Sequence, residues 1–324
     1  MKKISLHSYM PWVIAALMGS MPFLLGNQLK EPSTQAVEKA LPLYSCLDVP
    51  AQFTLCDSTV DLSRYDRKER LDRELLAFSY MHSTSLQIIK RANRYFPIVE
   101  PILKQHGIPD DFKYLMVIES SLNPLARSGA GAAGMWQFME GTARDYGLEV
   151  SNTVDERYHL EKATHAACKY LKNAYRNYKS WMNVIASYNA GQARISRQLL
   201  RQDVDDALDL YLVEETTRYP YRVMAAKMLL SEPQKFGFRL KASDLYPPIH
   251  YREIKISENI EDLARFARGQ GINYSLLKNM NPWLRSTSLH VHKGKTYAIK
   301  IPAKESMYYN SKVIIPHDKR WIVE

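Results

Sequence analysis

The sequence predicts a mainly α-helical protein with a small α+β domain toward its C-terminal end. Between Asp110 and Leu230, apolar residues recur at helical spacing and strand-like alternation is rare. After Tyr246-Pro247-Pro248 the pattern changes, and two alternating segments enclose two short helical ones. A chain of 324 residues, of which 46% are hydrophobic, has the length and composition to form about two domains with packed cores.

The N-terminal residues 1–26 are predicted to be a secretory signal peptide. Met1-Lys2-Lys3 is positively charged, and the mostly apolar stretch from Pro11 to Leu25 follows it. That stretch is short for a membrane span and contains two prolines, although an uncleaved membrane anchor remains the alternative. No Cys directly follows the apolar stretch, since Leu25 leads into Gly26-Asn27-Gln28, and this argues against a lipid anchor there. We therefore expect export to the periplasm or cell envelope.

Residues 27–60 are predicted to be a linker or a loosely packed segment because they are mixed in composition and contain three prolines. Cys46 and Cys56 could close a small disulfide loop in an oxidising compartment. Cys168 has small apolar neighbours and is expected to be a buried hydrophobe. His165 and Cys168 lack further ligands for a metal, so we expect no metal site.

Residues 61–235 are predicted to form one helical domain. Its lead-in contains two helices, Arg67–Met81 and Ser85–Gln105, and Pro97 and Pro101 are expected to kink or divide the second. A further apolar helix is predicted over Val223–Leu230.

Glu119 is the first candidate for chemistry because it interrupts an apolar helical stripe. At helical spacing one face carries Phe112, Leu115, Met116, Glu119 and Leu122. Burial in such a stripe disfavours the charged form, so the pKa of Glu119 should be raised. A carboxylic acid that is protonated near neutral pH is the proton donor that glycosidic bond cleavage needs. The alternative is a Glu at the edge of the stripe that reaches solvent or pairs with an Arg.

Three further clusters follow Glu119. The small residues Ser128–Gly134 lead into Met135–Met139, where Trp136 offers an aromatic face and Gln137 an amide, both suited to a sugar. The alternative is a tight turn before a buried helix. Ile185–Gly191 contains Tyr188 and Asn189, which could hydrogen-bond an N-acetyl group, although Asn-Ala-Gly is also an ordinary helix C-terminus. Glu215–Tyr219 is a polar stretch before the last apolar helix.

Together these clusters resemble the catalytic domain of the soluble lytic transglycosylase family, and most of all its membrane-bound D branch. The matching motifs, in chain order, are Glu119-Ser120, Gly134-Met135-Trp136-Gln137, Ser187-Tyr188-Asn189-Ala190-Gly191 and Glu215 to Tyr219. Ser187 replaces the family's usual Ala, and the Trp variant is typical of the D branch. The resemblance covers roughly Ile98 to Leu230 and implies a lysozyme-like helical fold.

The resemblance also implies catalysis by one carboxyl group, without metal or cofactor. Glu119 would protonate the glycosidic oxygen between N-acetylmuramic acid and N-acetylglucosamine. It would then take the proton of the C6 hydroxyl, giving a 1,6-anhydromuramyl end. Ser120 would orient Glu119 or the N-acetyl group, and Tyr219 would hydrogen-bond near Glu119. Substrate contacts are implied for Met135, Trp136, Gln137, Tyr188 and Asn189.

The C-terminal residues 248–303 resemble a divergent LysM module. Predicted elements run strand, helix, helix, strand over Tyr251–Ile256, Ile260–Gln270, Tyr274–Asn281 and Thr296–Ile301. LysM modules bind glycans that contain N-acetylglucosamine, so this domain would bind peptidoglycan. The alternative is a structural appendage packed on the catalytic domain. Residues 304–324 are left as an unassigned tail.

The formal net charge of +10 favours an anionic partner. The sequence contains no nucleic-acid recognition module, so peptidoglycan and its anionic polymers fit better. Simple solubility is the other explanation of the charge.

Two functional alternatives stay open. A lysozyme-type hydrolase would need a second carboxylate, for which Glu140, Asp145 and Asp155 are nearest in sequence. A non-catalytic peptidoglycan-binding scaffold would keep the fold without the acid. Oligomeric state and membrane association are not determined by the sequence.

Overall fold

The computed structural model of the protein describes residues 46–323. The predicted signal peptide, residues 1–26, and the first part of the predicted linker lie outside the described residues. Within the described range, no helix combines the length and the hydropathy that crossing a bilayer requires.

An antiparallel hairpin occupies the second half of the predicted linker. It pairs β1 (Gln52–Leu55) with β2 (Ser58–Asp61) through a turn in which Cys56 and Asp57 both have positive φ, 51° and 61°. Leu55, Cys56 and Val60 are buried against the helices. The expectation of loose packing is therefore wrong from residue 52 to 60.

The three cysteines are free thiols in this structure. Cys46 is exposed, whereas Cys56 is buried beneath the hairpin turn. Burial raises the pKa of the Cys56 thiol far above its ordinary value. The disulfide loop considered for Cys46 and Cys56 is thus not formed here. Cys168 is fully buried in a helix, as the sequence predicts.

Helices build the unit that follows, which we call the helical unit (residues 65–245). They are α1 (Tyr65–Tyr80), α2 (His82–Gln105), α3 (Phe112–Ser120), α4 (Glu140–Asp145), α5 (Leu160–Tyr178), α6 (Trp181–Ala190), α7 (Gln192–Gln202) and α8 (Glu214–Ser231). Helix α2 runs through Pro97 and Pro101 without interruption. Each proline removes one backbone donor, while the apolar face of α2 stays buried on both sides.

One helix boundary differs from the sequence prediction, and another agrees with an alternative that the sequence left open. Helix α8 starts at Glu214, so the polar Glu215–Tyr219 stretch forms its first turns instead of preceding it. Acidic residues in a first turn are favoured by the helix dipole, which makes this polar stretch a good helix start. Helix α6 ends at Ala190 with Gly191 at φ 84°, so the Asn-Ala-Gly motif is also a helix terminus.

The C-terminal elements form a compact β3–β4 unit (residues 251–302). It comprises β3 (Tyr251–Ile256), α9 (Leu263–Gly269), α10 (Tyr274–Met280) and β4 (Tyr297–Pro302). The strands pair antiparallel with Tyr251 opposite Pro302 and Ile256 opposite Tyr297. This order confirms the predicted strand–helix–helix–strand pattern.

The β3–β4 unit packs directly on the helical unit. Its hydrophobic core includes Ala133, Val154 and Tyr158 from the helical unit. Backbone bonds cross the junction, from Asp155 N to the Trp283 carbonyl at 2.9 Å and from Arg285 N to the Thr153 carbonyl at 2.8 Å. Packing of this kind was one of the two alternatives that the sequence left open.

Residues 304–323, here the closing segment, return to the helical unit. Trp321 is 2% exposed and donates its indole N–H to the Leu230 carbonyl at 2.7 Å. Val323 N donates to the Leu240 carbonyl at 2.8 Å, and Ile314 is also buried in the helical core. The described part of the predicted tail therefore completes the helical core, and the β3–β4 unit is inserted before it.

Candidate active site

Glu119 lies in the last turn of α3, where the helix stops abruptly. Its neighbours Leu115 and Met116 are fully buried, while Glu119 itself is half-buried. Ser121 and Leu122 then adopt left-handed φ values of 50° and 56°. Consecutive non-glycine residues in this region are strained, and such strain often accompanies functional sites. The turn leaves Glu119 at the end of the helix.

The Glu119 carboxyl group is held by Tyr219 from α8. The Tyr219 hydroxyl, on a side chain only 2% exposed, donates a hydrogen bond to Glu119 Oε1. Burial raises the pKa of Glu119 to about 7, against the opposing effects of the Tyr219 donor and the positive charge of Arg222. The pKa is raised in the direction that the apolar stripe predicts, so the side chain exchanges its proton near neutral pH.

Tyr188 from α6 also lies within reach of the charge on Glu119. Its hydroxyl donates to the Trp136 carbonyl at 2.7 Å, and its ring meets that of Tyr170 edge to face with centroids 5.3 Å apart. Burial raises the pKa of Tyr188 well above its ordinary value, and the charge of Glu119 adds to this effect. Tyr188 is therefore a neutral phenol fixed beside the carboxyl group.

The small-residue loop adopts a shape that only glycine permits at Gly134. Its φ is 77°, and a Cβ at this position would lie 1.8 Å from the Arg157 carbonyl oxygen. The buried Arg157 guanidinium donates to the Gly131 carbonyl at 2.9 Å and to the Phe138 carbonyl at 3.2 Å. Asp155 accepts two further bonds from it, at 2.9 and 2.7 Å. Arg157 thus ties the middle of the loop to the segment that follows it.

Gln137 follows this loop in a left-handed conformation with φ 49°. Its amide nitrogen donates to the Ala126 carbonyl at 3.2 Å and the Gly134 carbonyl at 2.7 Å. Two carbonyl acceptors determine which end of the amide is the NH₂ group. Within residues 46–323 no donor bonds the amide oxygen, which can therefore accept from a ligand.

Trp136 and Met135 do not offer side chains to a sugar. Trp136 is 0% exposed and donates its indole N–H to Thr164 Oγ1 at 2.9 Å, so it fills the core beside α5. The prediction that the Trp136 ring faces a sugar is therefore wrong. The Trp136 carbonyl group instead accepts the hydrogen bond that positions Tyr188. Met135 as a whole residue is only 3% exposed, so its side chain is also part of the core.

Ser120 and Asn189 are near the site without touching the carboxyl group. Ser120 Oγ donates to the Met116 carbonyl, one turn back, at 3.1 Å. Asn189 is half-buried in the last turn of α6, and none of residues 46–323 hydrogen-bonds its side chain. The structure thus brings Glu119, Tyr219 and Tyr188 together, while Ser120 bonds its own helix.

The carboxylates considered as hydrolytic partners are occupied elsewhere or exposed. Glu140 pairs with Arg144 at 2.7 Å, and Asp155 is bound by Arg157. Asp145 is exposed. Glu215 begins the fourth motif, but no role for it was predicted from the sequence; its charge raises the pKa of Glu119, and it lies one helical turn before Tyr219. That spacing of four residues could have indicated a shared helix face.

Arg157 is the other functional residue that the sequence reasoning missed. Its signal was the run Asp155-Glu156-Arg157, in which a basic side chain stands between acidic neighbours and the apolar start of α5.

In the described part of the chain, no group of three or more His, Cys, Asp or Glu side chains could hold a metal ion. His165 instead lies against His106, with ring nitrogens 2.8 Å apart.

Comparison with known families supports the motif resemblance. Residues 97–208 match the Transglycosylase SLT domain, and residues 252–305 match the Soluble lytic transglycosylase C-terminal LysM-like domain. Both the resemblance drawn from the motifs and the fold class, mainly helical and lysozyme-like with a small LysM-like unit, are thereby confirmed.

Among curated relatives, membrane-bound lytic murein transglycosylase D of Escherichia coli K12 is 28% identical over 244 residues, covering 74% of this chain and 52% of the relative. Membrane-bound lytic murein transglycosylase C of Haemophilus ducreyi is 32% identical over 119 residues, or 32% of each chain. The chain spans about half the length of the first of these relatives. A solved inactive mutant of lytic transglycosylase Slt from Pseudomonas aeruginosa is similar at 21% identity and a TM-score of 0.34, over 44% of this chain and 24% of that one.

Proposed function

We propose that the protein is a peptidoglycan lytic transglycosylase. It cleaves the β-1,4 bond between N-acetylmuramic acid and N-acetylglucosamine and leaves 1,6-anhydromuramyl ends. The observation that carries the proposal is the environment of Glu119, whose pKa is raised to about 7 and whose carboxyl group is oriented by Tyr219. The motif order and the relatives named as lytic murein transglycosylases support the same activity.

The reaction needs one group that first gives and then takes a proton. Protonated Glu119 donates to the glycosidic oxygen as the C1–O bond breaks, and the N-acetyl carbonyl oxygen of the muramoyl unit stabilises the positive C1. The Glu119 carboxylate then accepts the proton of the C6 hydroxyl while the oxygen of that hydroxyl bonds to C1. A pKa near the working pH suits both steps because neither protonation state is costly to reach. No water is consumed, and Glu119 ends protonated as it began.

The residues around Glu119 have distinct proposed roles. Tyr219 orients the carboxyl group and stabilises its ionised form, and Tyr188 supplies a neutral phenol to the substrate or to Glu119. The Gln137 amide oxygen accepts from a sugar hydroxyl or N-acetyl N–H, and the Asn189 side chain also binds the sugar. The Met135 backbone contacts the substrate, and Ser120 closes the end of α3. Trp136 acts through its carbonyl group alone.

A lysozyme-type hydrolase is the second candidate. It would require a carboxylate that activates water on the opposite face of the sugar. Asp155 is neutralised by Arg157, and Glu140 pairs with Arg144 on an exposed helix, which disfavours both. Glu215 is the remaining candidate because its charge reaches Glu119. A non-catalytic scaffold is disfavoured by the raised pKa of Glu119, since a binding protein has no use for a titrating buried acid.

We also propose an envelope location. The predicted signal peptide of residues 1–26 and the relatives named membrane-bound support it. As domain boundaries we propose the helical unit with its closing segment as the catalytic domain and the β3–β4 unit as an insertion. Glycan binding by the β3–β4 unit remains a prediction.

A digest of purified peptidoglycan tests the activity. Soluble products of the parent protein and of Glu119→Gln would be weighed by mass spectrometry. Muropeptides lighter by one water than those with reducing ends, absent with Glu119→Gln, are expected. Glu140→Gln is the matched control and should release the same products as the parent. Reducing ends would point to a hydrolase, with Glu215→Gln as the next variant, and an absence of products with retained binding would favour the scaffold.

A further inference from the structure

A short stretch of the helical unit, residues 153–158, lies beside the β3–β4 unit as an added strand would. Arg285 N donates to the Thr153 carbonyl at 2.8 Å, and Asp155 N donates to the Trp283 carbonyl at 2.9 Å. An isolated antiparallel bridge lies between these two bonds. Because buried backbone donors and acceptors need partners, the β3–β4 unit determines where this stretch lies.

The β3–β4 unit also packs on side chains of this stretch and of the small-residue loop. Ala133 is 0% exposed and Tyr158 is 6% exposed, and both belong to the hydrophobic core of the β3–β4 unit. The guanidinium carbon of Arg285 lies 4.4 Å from the centre of the Tyr158 ring, a cation–π contact. Ala133 directly precedes Gly134 in the loop. The unit therefore contacts both segments.

Arg157 connects the stretch to the residues of the second motif. We call residues 131–138 the motif loop, because they include that motif. The Arg157 guanidinium is held by both carboxylate oxygens of Asp155 and donates to the carbonyls at the two ends of the loop, Gly131 and Phe138. Arg157 and Asp155 are each 6% exposed. A planar guanidinium bound in this way cannot turn without losing several bonds, so it transmits the position of Asp155 to the loop.

The motif loop carries groups that lie beside the candidate acid. The Trp136 carbonyl accepts from the Tyr188 hydroxyl at 2.7 Å, and Tyr188 is within reach of the charge on Glu119. Gln137 is held inside the loop by its bond to the Gly134 carbonyl at 2.7 Å. A series of hydrogen bonds, linked by a short backbone segment of the loop, thus runs from the β3–β4 unit to a phenol beside Glu119.

We infer that Arg157 is a positioning residue for the reaction at Glu119 and that the β3–β4 unit supports it. This inference rests on the proposed function. Among residues 46–323 the Arg157 guanidinium bonds only Asp155 and the two loop carbonyls, so it acts through the motif loop. Displacing a group beside the reacting atoms by about 1 Å can slow a reaction about a hundredfold. The LysM-like unit thus serves catalysis even when no glycan is bound to it.

The variant that tests this removes both charges of the buried pair. Arg157→Gln alone leaves Asp155 buried without a cation, which destabilises the fold whatever the role of the loop. The double variant Asp155→Asn/Arg157→Gln keeps two neutral polar side chains and leaves no unpaired charge. Its matched control, Glu140→Gln/Arg144→Gln, removes an exposed pair of the same kind from α4, where the two side chains are 2.7 Å apart.

Hydrogen exchange of residues 131–138 in the full chain, followed by mass spectrometry, monitors the motif loop without turnover. In the double variant it should be at least about tenfold faster than in the parent, because the bonds that hold the loop carbonyls are lost. On soluble, un-cross-linked peptidoglycan strands kcat should fall at least about tenfold. KM should change by less than about threefold, since the loop meets one part of a long strand. The control should match the parent in all three measurements.

Urea denaturation separates positioning from folding. The double variant should regain most of the stability that Arg157→Gln loses, while its kcat stays low and its loop exchange stays fast. If kcat returns to the parent value together with stability, Arg157 serves the fold alone and the inference is wrong. Loop exchange at the parent rate in the double variant would also overturn it.

A second pair of variants tests the part assigned to the β3–β4 unit. Arg285→Pro removes the N–H that bonds Thr153 and the ring contact with Tyr158, whereas Thr287→Pro removes an N–H without an acceptor among residues 46–323. Both positions are exposed and have negative φ, as proline requires. Arg285→Pro should speed exchange of the motif loop and lower kcat at least about threefold, and Thr287→Pro should do neither. Equal effects of the two variants, including none, would refute the role of the unit.

Failure of the proposed function would look different. The parent would then release no products, or products with reducing ends, while loop exchange would still report on Arg157 and the β3–β4 unit. Anhydro products from the parent show in addition that Asp155 does not activate water for the reaction. A low kcat of the double variant is then assigned to the loop.

Discussion

Replacing Glu119 with Gln should make the protein more stable at alkaline pH and leave its stability in acid little changed. The substitution keeps the size of the side chain and removes its ionisation. Burial raises the pKa of Glu119 from an ordinary value of 4.5 to about 7, although Tyr219 and Arg222 act in the opposite direction. In the folded protein the ionised carboxylate is therefore less favourable than in the unfolded chain.

The size of the effect follows from proton linkage. Below pH 4.5 both states hold the proton, so Glu119 contributes no pH dependence. Between 4.5 and 7 the folded state keeps a proton that the unfolded state has released, so the free energy of unfolding falls as pH rises. A pKa of about 7 in place of 4.5, at about 1.4 kcal/mol per pKa unit, lowers the free energy of unfolding by about 3.5 kcal/mol above pH 7.

Urea denaturation of both proteins at about pH 4 and about pH 8.5 measures this difference. Other carboxylates titrate equally in parent and variant, so the difference between the two proteins isolates Glu119. The difference in free energy of unfolding, variant minus parent, should rise by about 3.5 kcal/mol between these conditions. Glu140→Gln, at an exposed position, should show almost no change. If the advantage of Glu119→Gln is the same at both pH values, burial does not hold the proton on Glu119 and the reasoning fails.

Three further outcomes follow from the same geometry. Tyr219→Phe removes a donor that lowers the pKa of Glu119, so the alkaline limb of the pH–activity profile should move to higher pH, and an unmoved limb would contradict the role given to Tyr219. Gly134→Ala places a Cβ 1.8 Å from the Arg157 carbonyl at φ 77° and should cost more than about 2 kcal/mol in urea denaturation. Its control Gly129→Ala meets nothing within 4 Å, and equal costs would refute the explanation. Trp321→Ala should lose about 3–5 kcal/mol of stability by calorimetry because the side chain is 2% exposed, and a loss below about 1 kcal/mol would show that the closing segment is not part of the core.

Elements with a clear hydrophobic period could be predicted from the sequence. The strand Tyr251–Ile256 has its predicted bounds, and the helices α1 and α2 differ from prediction by a few residues. Alternation and helical spacing report which face is buried, and burial is what stabilises these elements. The hairpin over Gln52–Asp61 escaped prediction because its strands are four residues each and its turn has neither Asn-Gly nor Asp-Gly.

The candidate site was predictable where one helix carries the information. The position of Glu119 in an apolar stripe anticipates its raised pKa. The burial of Trp136 was not predictable, because an indole suits a core and a sugar equally and only the position of α5 decides. Arg157 acts on carbonyl groups of residues about twenty to twenty-six positions earlier, and such contacts leave no local pattern.

The closing segment changes what removing the β3–β4 unit would mean. A chain cut after Pro247 loses the LysM-like fold together with Trp321, and it uncovers Leu230 and Phe96 in the helical core. The two ends of the insertion are close, since Ala303 N donates to the His250 carbonyl at 2.8 Å. A clean deletion would therefore join these ends and retain residues 304–323. For the same reason a nascent chain cannot complete its helical core until those residues have been made, so the candidate site is finished only after the β3–β4 unit has been synthesised.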